Sequence, residues 1–189
     1  DTRDRESGPT KGVWSEALVE RSLEFLGSES SFTRWTFSDR RYFSLGERVV
    51  FANRVVLQTV TGSPPFHVLS YWQSSFGGHE ALGGASSVRG LLKNRYIGEG
   101  VFLWNPELRW RAWDYELLGR GGYVALTGFV DSGRVWEDGV ELGSLLSDLH
   151  HGVGGGVRLG LGPNFVLALD LATSEEASLQ TYTGLGYMF

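Results

Sequence analysis

The sequence predicts an all-β protein: an antiparallel transmembrane β-barrel to which this chain gives eight strands, half of a sixteen-stranded barrel. Three observations lead there. Apolar and polar residues alternate with period two through most of the 189 residues, as in strands with one wet and one dry face. Glycine is abundant, at 27 residues, and stacks on one face of two such stretches, where it cannot fill an apolar core. Tryptophans 14, 35, 104, 110, 113 and 136 mostly lie towards strand ends, where an aromatic girdle sits at lipid headgroups.

Composition sets the bounds. A mean hydropathy of −0.14 is no objection to a membrane barrel, whose strands average lipid-facing and lumen-facing residues. No apolar run approaches the ~18 residues of a membrane-spanning helix. The formal charge of −5 leaves no basic stripe, so nucleic acid is not an expected partner. Absence of cysteine removes disulfides, thiolate metal sites and cysteine nucleophiles. No signal-peptide pattern opens the chain, which is read as a mature or trimmed form.

Residues 1–12 are charged and turn-rich and lead into the barrel domain, 13–189. The first strand is expected from Val13 to Leu26, with Val13, Ala17, Val19, Leu23 and Phe25 opposite Glu16, Glu20, Ser22 and Glu24; Arg21 interrupts the apolar face. Phe32 to Phe43 places Trp35, Phe37 and Phe43 opposite Arg34, Thr36 and Arg40. Val49 to Thr61 is the third strand, and a long inserted loop without strands follows over 62–100. Val101 to Trp113 alternates most clearly, with Phe102, Trp104, Leu108 and Trp110 opposite Asn105, Glu107, Arg109 and Arg111. Pro106 cannot donate to a ladder and marks an edge or irregularity. Tyr123 to Trp136, His150 to Leu161, Phe165 to Ala172 and Leu179 to Phe189 complete the set, with a hairpin turn at Gly162-Pro163-Asn164. A soluble eight-stranded barrel is the competing reading. It would keep its apolar face inward, whereas here the other face carries glycines and charges on nearly every strand.

Several stretches, in order along almost the whole chain, carry a family resemblance. These are Asp1-Thr2-Arg3-Asp4 with Pro9 to Gly12, then Leu82-Gly83-Gly84 with Ser87-Val88-Arg89-Gly90, then Asn105 to Arg109. Phe129 to Trp136, Gly152 to Arg158, Asp170-Leu171-Ala172 and the C-terminal signature Tyr187 and Phe189 follow. Together they resemble the bacterial surface-antigen superfamily of outer-membrane barrels, the BamA, TamA and two-partner secretion transporter type. Only the C-terminal half of that barrel is matched, and the periplasmic POTRA repeats have no counterpart in these residues. Leu91 stands where the family usually has an aromatic residue.

The resemblance implies that the long loop folds into the lumen. Arg89, flanked by Val88 and Gly90, would then be clamped by Glu107 and Asp131 on neighbouring strands, with Phe129 and Gly133 giving contact and room. A guanidinium fork suits carboxylates, and a buried arginine needs them. Read from the residues alone, Arg89 could equally be solvated on an extracellular loop with both carboxylates lining a wet lumen. His150 and His151 are adjacent on a strand and point to opposite faces, a poor metal site. Ser144, Ser147, Asp148 and His150 are triad residue types without a nucleophile elbow. No catalytic residue, metal or cofactor is expected.

Eight strands close around little more than side chains, so a lumenal loop calls for a larger barrel. Strand edges cannot face lipid unpaired. The expected partners are therefore the lipid bilayer, a second copy of the chain completing one barrel, and a client outer-membrane polypeptide. The resemblance implies a non-enzymatic role in the bacterial outer membrane: protein insertion or translocation, or lipid movement. Alternatives are a passive pore plugged by the long loop and a non-conducting membrane anchor.

Overall fold

The computed structural model describes residues 1–189 except Phe76, Leu118 and Pro163. Eight strands form one antiparallel sheet: β1 (Gly12–Ser22), β2 (Phe32–Ser44), β3 (Val49–Gly62), β6 (Gly100–Leu117), β7 (Arg120–Trp136), β8 (His150–Leu161), β9 (Phe165–Ser174) and β10 (Gln180–Leu185). They pair in that order, with β1 and β10 as the two edges, so the sheet is open within this chain. A short helix α1 (Phe66–Leu69) and a separate two-stranded hairpin, β4 (Tyr71–Ser74) with β5 (Gly77–Glu80), lie between β3 and β6.

Alternation decides the two faces. On β9, Phe165, Leu167, Leu169 and Leu171 are exposed while Val166, Asp170 and Ala172 are buried. On β6, Trp104, Leu108 and Trp110 are exposed while Asn105, Glu107 and Arg109 are buried. The outer face is thus mainly apolar and bare, and the inner face is polar and covered. What covers it is residues 63–99. Trp72, Leu82, Val88 and Leu91 pack against Val56 of β3 and Val101 and Leu103 of β6 in one buried cluster. Leu91 occupies this core, which explains an aliphatic side chain there.

The ends of the sheet differ. Short turns join β2 to β3, β6 to β7 and β8 to β9, and both chain termini lie at that end. Longer connections, including 63–99 and 137–149, lie at the other. Bacterial outer-membrane barrels show the same asymmetry, with short turns on the periplasmic side.

Several expectations need correction. The first strand stops at Ser22, and Glu24–Leu26 form a 3-10 turn ended by Gly27 at φ 90°, a left-handed conformation that glycine adopts freely. The 62–100 segment does contain strands: Trp72 stacks on His79 across the β4–β5 pair, with ring centroids 4.2 Å apart. Four-residue strands are too short to show a period. The last strand ends at Leu185, because Gly186, at φ 84°, turns the chain inward. Tyr187 and Phe189 therefore leave the outer face expected for them. Phe189 is buried against Tyr42 and Ala52, and Arg109 lies over both the Tyr187 and Phe189 rings.

The girdle also needs revision. Trp35, Trp104, Trp110 and Trp113 are exposed, but Trp136 is buried and donates to Ser144. Trp14 faces inward between the guanidinium groups of Arg3 and Arg40. Phe102 is buried at the end of β6 where Gly139 lies against Gly100. Pro106 sits on an interior strand, and the β6–β7 ladder skips Asn105 and Pro106, as a residue without N–H requires. Of the expected turn at 162–164, Gly162 has φ 64° and Pro163 lies outside the described residues.

Residues 1–12 fold back on the start of β1. Thr2 N–H donates to the Val13 carbonyl at 2.8 Å, and the Asp4 carboxylate accepts from the amide and hydroxyl of Thr10. The tip of this segment, Gly8, reaches the ring of Tyr187.

Candidate functional site

The site is the place where the loop meets the inner face. Strands β6, β7 and β9 each bring one carboxylate there: Glu107, Asp131 and Asp170, all buried. Their alternation with Leu108, Val130 and Leu171 leaves them no other direction. The loop brings Arg89. Its Nε donates to Asp131 Oδ2 at 2.7 Å and its Nη2 to Oδ1 at 3.2 Å. Its Nη1 donates to Glu107 Oε2 at 3.1 Å and to Asp170 Oδ2 at 3.0 Å. The guanidinium lies 3.3 Å above the centre of the Phe129 ring.

Burial works against the charge on Arg89, but Asp131 first, then Glu107 and Asp170, outweigh it, and the guanidinium is held more firmly protonated than usual. Each carboxylate has a second partner. Asp170 takes a forked pair from Arg158 at 2.5 and 2.9 Å. Glu107 accepts from Arg109 at 2.8 Å, and Asp131 from the Asn105 amide at 2.9 Å. Asn105 in turn accepts from Arg54, which also donates to the Ser86 carbonyl of the loop. Each of the three carboxylates thus meets an arginine, while Arg54 is held by the neutral oxygens of Asn105 and Ser86.

Backbone contacts seat the rest of the loop. Tyr182 of β10 accepts from the Gly90 N–H at 3.0 Å and donates to the Leu91 carbonyl at 3.3 Å. The hairpin tip reaches the opposite edge, where the amide and hydroxyl of Ser75 donate to Glu16 of β1. The loop thus spans the inner face from one sheet edge to the other. The inner glycines make room: a Cβ on Gly152 would sit 1.7 Å from the Arg89 carbonyl oxygen. One on Gly133 would sit 2.4 Å from the Leu82 side chain, and one on Gly154 would meet the Phe129 ring at 2.6 Å. These glycines are filled partly by loop backbone and partly by neighbouring side chains.

Val88, Arg89, Gly90, Glu107, Phe129, Asp131 and Gly133 therefore lie together. Tyr187 and Phe189 lie apart from Arg89, on Arg109. Asn105, Arg158 and Asp170 stand in stretches that carry the family resemblance but, like Tyr182, are not among the expected clamp residues. Asp170 carried a usable signal, as the inward charge on a leucine-rich strand; Tyr182 carried none. His150 and His151 separate as expected of neighbours on a strand: His150 stacks on Tyr96 at 3.8 Å, and His151 bonds Ser132 at 2.8 Å. Ser144 and Ser147 offer their carbonyls to Arg134 rather than their hydroxyls to His150.

Together these features define a sheet wall with an apolar outer face and a loop pinned to its charged inner face by one arginine. A family model described as the Omp85 superfamily domain matches residues 1–188, and the chain belongs to that superfamily. The outer membrane transporter CdiB of Dickeya dadantii (strain 3937) is 27% identical over 130 residues, covering 62% of this chain and 21% of that protein. The chain thus spans about a fifth of the length of this relative.

Proposed function

We propose that this chain is part of the wall of an outer-membrane transporter or insertase-type barrel, with residues 63–99 as its fixed internal element. The observation that carries this is Arg89 bound to three inward carboxylates beneath an apolar outer face. A charged network on the covered side and bare leucines on the other suit a wall between lipid and a polar interior. Membership of the Omp85 superfamily and the outer-membrane relative support a bacterial outer-membrane location and a transport role. The role proposed is passage or insertion of polypeptide, without covalent chemistry. A cavity of about 830 Å³ between the β4–β5 hairpin and β9–β10 keeps polar groups such as His79, Glu80 and Arg158 beside open space.

The open edges favour a second reading of the assembly. β1 runs away from the short-turn end and β10 runs towards it, so β10 of one copy can pair antiparallel with β1 of another. Inward Glu16 and Tyr182 would then share one face, and outward Ala17 and Thr183 the other. Two copies would close a sixteen-stranded barrel and leave no edge facing lipid.

The test is reconstitution into liposomes with an unfolded outer-membrane barrel as client, its folding followed by gel shift. Faster client folding supports the insertase-type role. Steady conductance in planar bilayers without faster folding would instead indicate a passive pore. Neither effect would indicate an anchor. Detergent-corrected mass, with cross-linking of Ala17→Cys to Thr183→Cys, separates closure between copies from closure within one.

A further inference from the structure

Among the described residues, the outer face carries a polar patch towards the short-turn end of β2. Asp39 and Arg41 alternate outward on β2 with Trp35, Phe37 and Phe43, all three of which are exposed. Arg41 Nε donates to Asp39 Oδ2 at 2.7 Å, and Ser15 on the edge strand β1 donates to Asp39 Oδ1 at 2.5 Å. Asn53, directly opposite Arg41 on β3, accepts from the Trp104 indole at 2.8 Å. Outward neighbours above and below are apolar: Phe37 and Leu57 on one side, Phe43, Phe51 and Leu108 on the other.

An ion pair on a lipid-facing surface is disfavoured in a depth-dependent way and is by default a functional feature. The two partners are not equivalent. Asp39 is well covered, with its side chain 13% exposed, and both its oxygens already accept bonds. Arg41 is 56% exposed and spends only its Nε on Asp39, so its terminal nitrogens face the lipid side. Arg41 lies three residues from Ser44, where β2 ends at the short-turn end. That is roughly 10 Å along a strand and less in depth when the strand tilts.

We infer that Arg41, oriented by Asp39 and Ser15, binds the phosphate of a phospholipid headgroup in the periplasmic-side leaflet, next to the open β1 edge. A guanidinium fork matches a phosphate, and the terminal nitrogens of the exposed Arg41 are left for one. The acyl chains of that lipid would run away from the short-turn end, over the outward Phe37 and Leu57. This inference rests on the membrane reading above.

The test uses the full chain folded in detergent, exposed to phosphatidylglycerol or phosphatidylethanolamine and examined by native mass spectrometry. Galactosyl diacylglycerol, which lacks phosphate, is the control lipid. The wild type should retain one phospholipid at least tenfold better than Arg41→Gln, and Arg21→Gln, elsewhere on the outer face, should match the wild type. Equal retention by wild type and Arg41→Gln, or equal retention of the galactolipid, overturns the site. If Arg41→Gln does not fold, Arg41→Lys keeps the charge without the fork and should still lose several-fold; unchanged retention overturns the inference. Vesicle flotation separates the two readings. A wild type that floats with no Arg41-dependent retention removes the lipid site alone, while one that does not float removes the membrane reading with it.

Discussion

Arg89 meets Asp131 three times: through Nε at 2.7 Å, through Nη2 at 3.2 Å, and through its own backbone N–H at 3.1 Å. One carboxylate thus fixes both the side chain and the course of the loop. Glu107 and Asp170 keep their own arginines if the Arg89 side chain is removed, but Asp131 keeps no cation, only the Asn105 amide and the backbone N–H of residue 89. Arg89→Ala should therefore cost about 3–5 kcal/mol, the range for breaking a buried pair. Asp131→Ala should cost nearly as much, since it removes three bonds to Arg89, whereas Asp170→Ala should free the loop less, because it removes one bond to Arg89 and falls mainly on Arg158. Limited proteolysis of the folded protein in detergent checks this. The loop should become cleavable in the first two variants, and protection equal to wild type in both would remove the clamp.

Gly152 supplies a separate test that touches no charge. Any Cβ there meets the Arg89 carbonyl at 1.7 Å, and backbone cannot yield as a side-chain end can. Gly152→Ala should lift the Val88–Gly90 segment off β8, lowering stability by about 1–3 kcal/mol, as overpacking does. Gly128→Ala, on the outer face with open space at its Cβ, should stay within about 0.5 kcal/mol of wild type. The comparison is made by heat-modifiable gel migration and by urea midpoint. Equal behaviour of the two variants would mean that the loop does not rest on Gly152.

Much of this was legible in the residues, for reasons that also mark where legibility stops. Period-two alternation is a local property, so β8 appears from His150 to Leu161 as expected. The inward direction of Glu107 and Asp131 follows from the same alternation. The third carboxylate was equally visible, since Asp170 stands alone among Leu167, Leu169 and Leu171, but nothing local says that β9 reaches the same arginine as β6. Tyr182 pairing with the Gly90 and Leu91 backbone is set by three-dimensional register alone. The inward turn at Gly186 was hidden because Leu185, Tyr187 and Phe189 continue an alternating pattern; only the position of Arg109 beneath them gives the rings a better place. Asp39 and Arg41 broke the outer pattern in plain view, yet their meaning depends on Ser15 and Asn53 lying beside them.

At the long-loop end, Glu176 should tie the loop to the rim weakly. It accepts from Arg95 Nε at 3.0 Å and from the Tyr96 hydroxyl, and lies 3.3 Å from His150 Nδ1. Hydrogen bonds from Tyr96 and Arg95 hold its carboxyl below the usual range, but the group is exposed. Surface pairs of this kind contribute little to global stability. Glu176→Gln should leave the unfolding midpoint nearly unchanged while speeding amide exchange over residues 92–96. A large drop in midpoint would mean that the rim, rather than Arg89, holds the loop.

His79 makes the loop hairpin sensitive to acid. Its pKa is lowered to about 4 from the ordinary 6.5, by burial first and then by the charges of Arg54 and Arg40; Glu80 and Glu16 oppose the shift without cancelling it. The folded state thus binds fewer protons at His79 than the unfolded state between those two values. Its contribution to stability is full above pH 6.5, falls as pH drops, and is exhausted below about 4. Protonation would place a third cation beside Arg54 and Arg40 while the ring stacks on Trp72. Amide protection over residues 71–80, corrected for the intrinsic exchange rate at each pH, should therefore fall between pH 6.5 and 4.5 in the wild type. His79→Gln, which cannot titrate, should flatten that dependence, while exchange elsewhere in the sheet keeps its ordinary pH profile. A variant with the wild-type pH dependence over the same residues would assign the effect to carboxylates such as Glu80 or Glu16 instead.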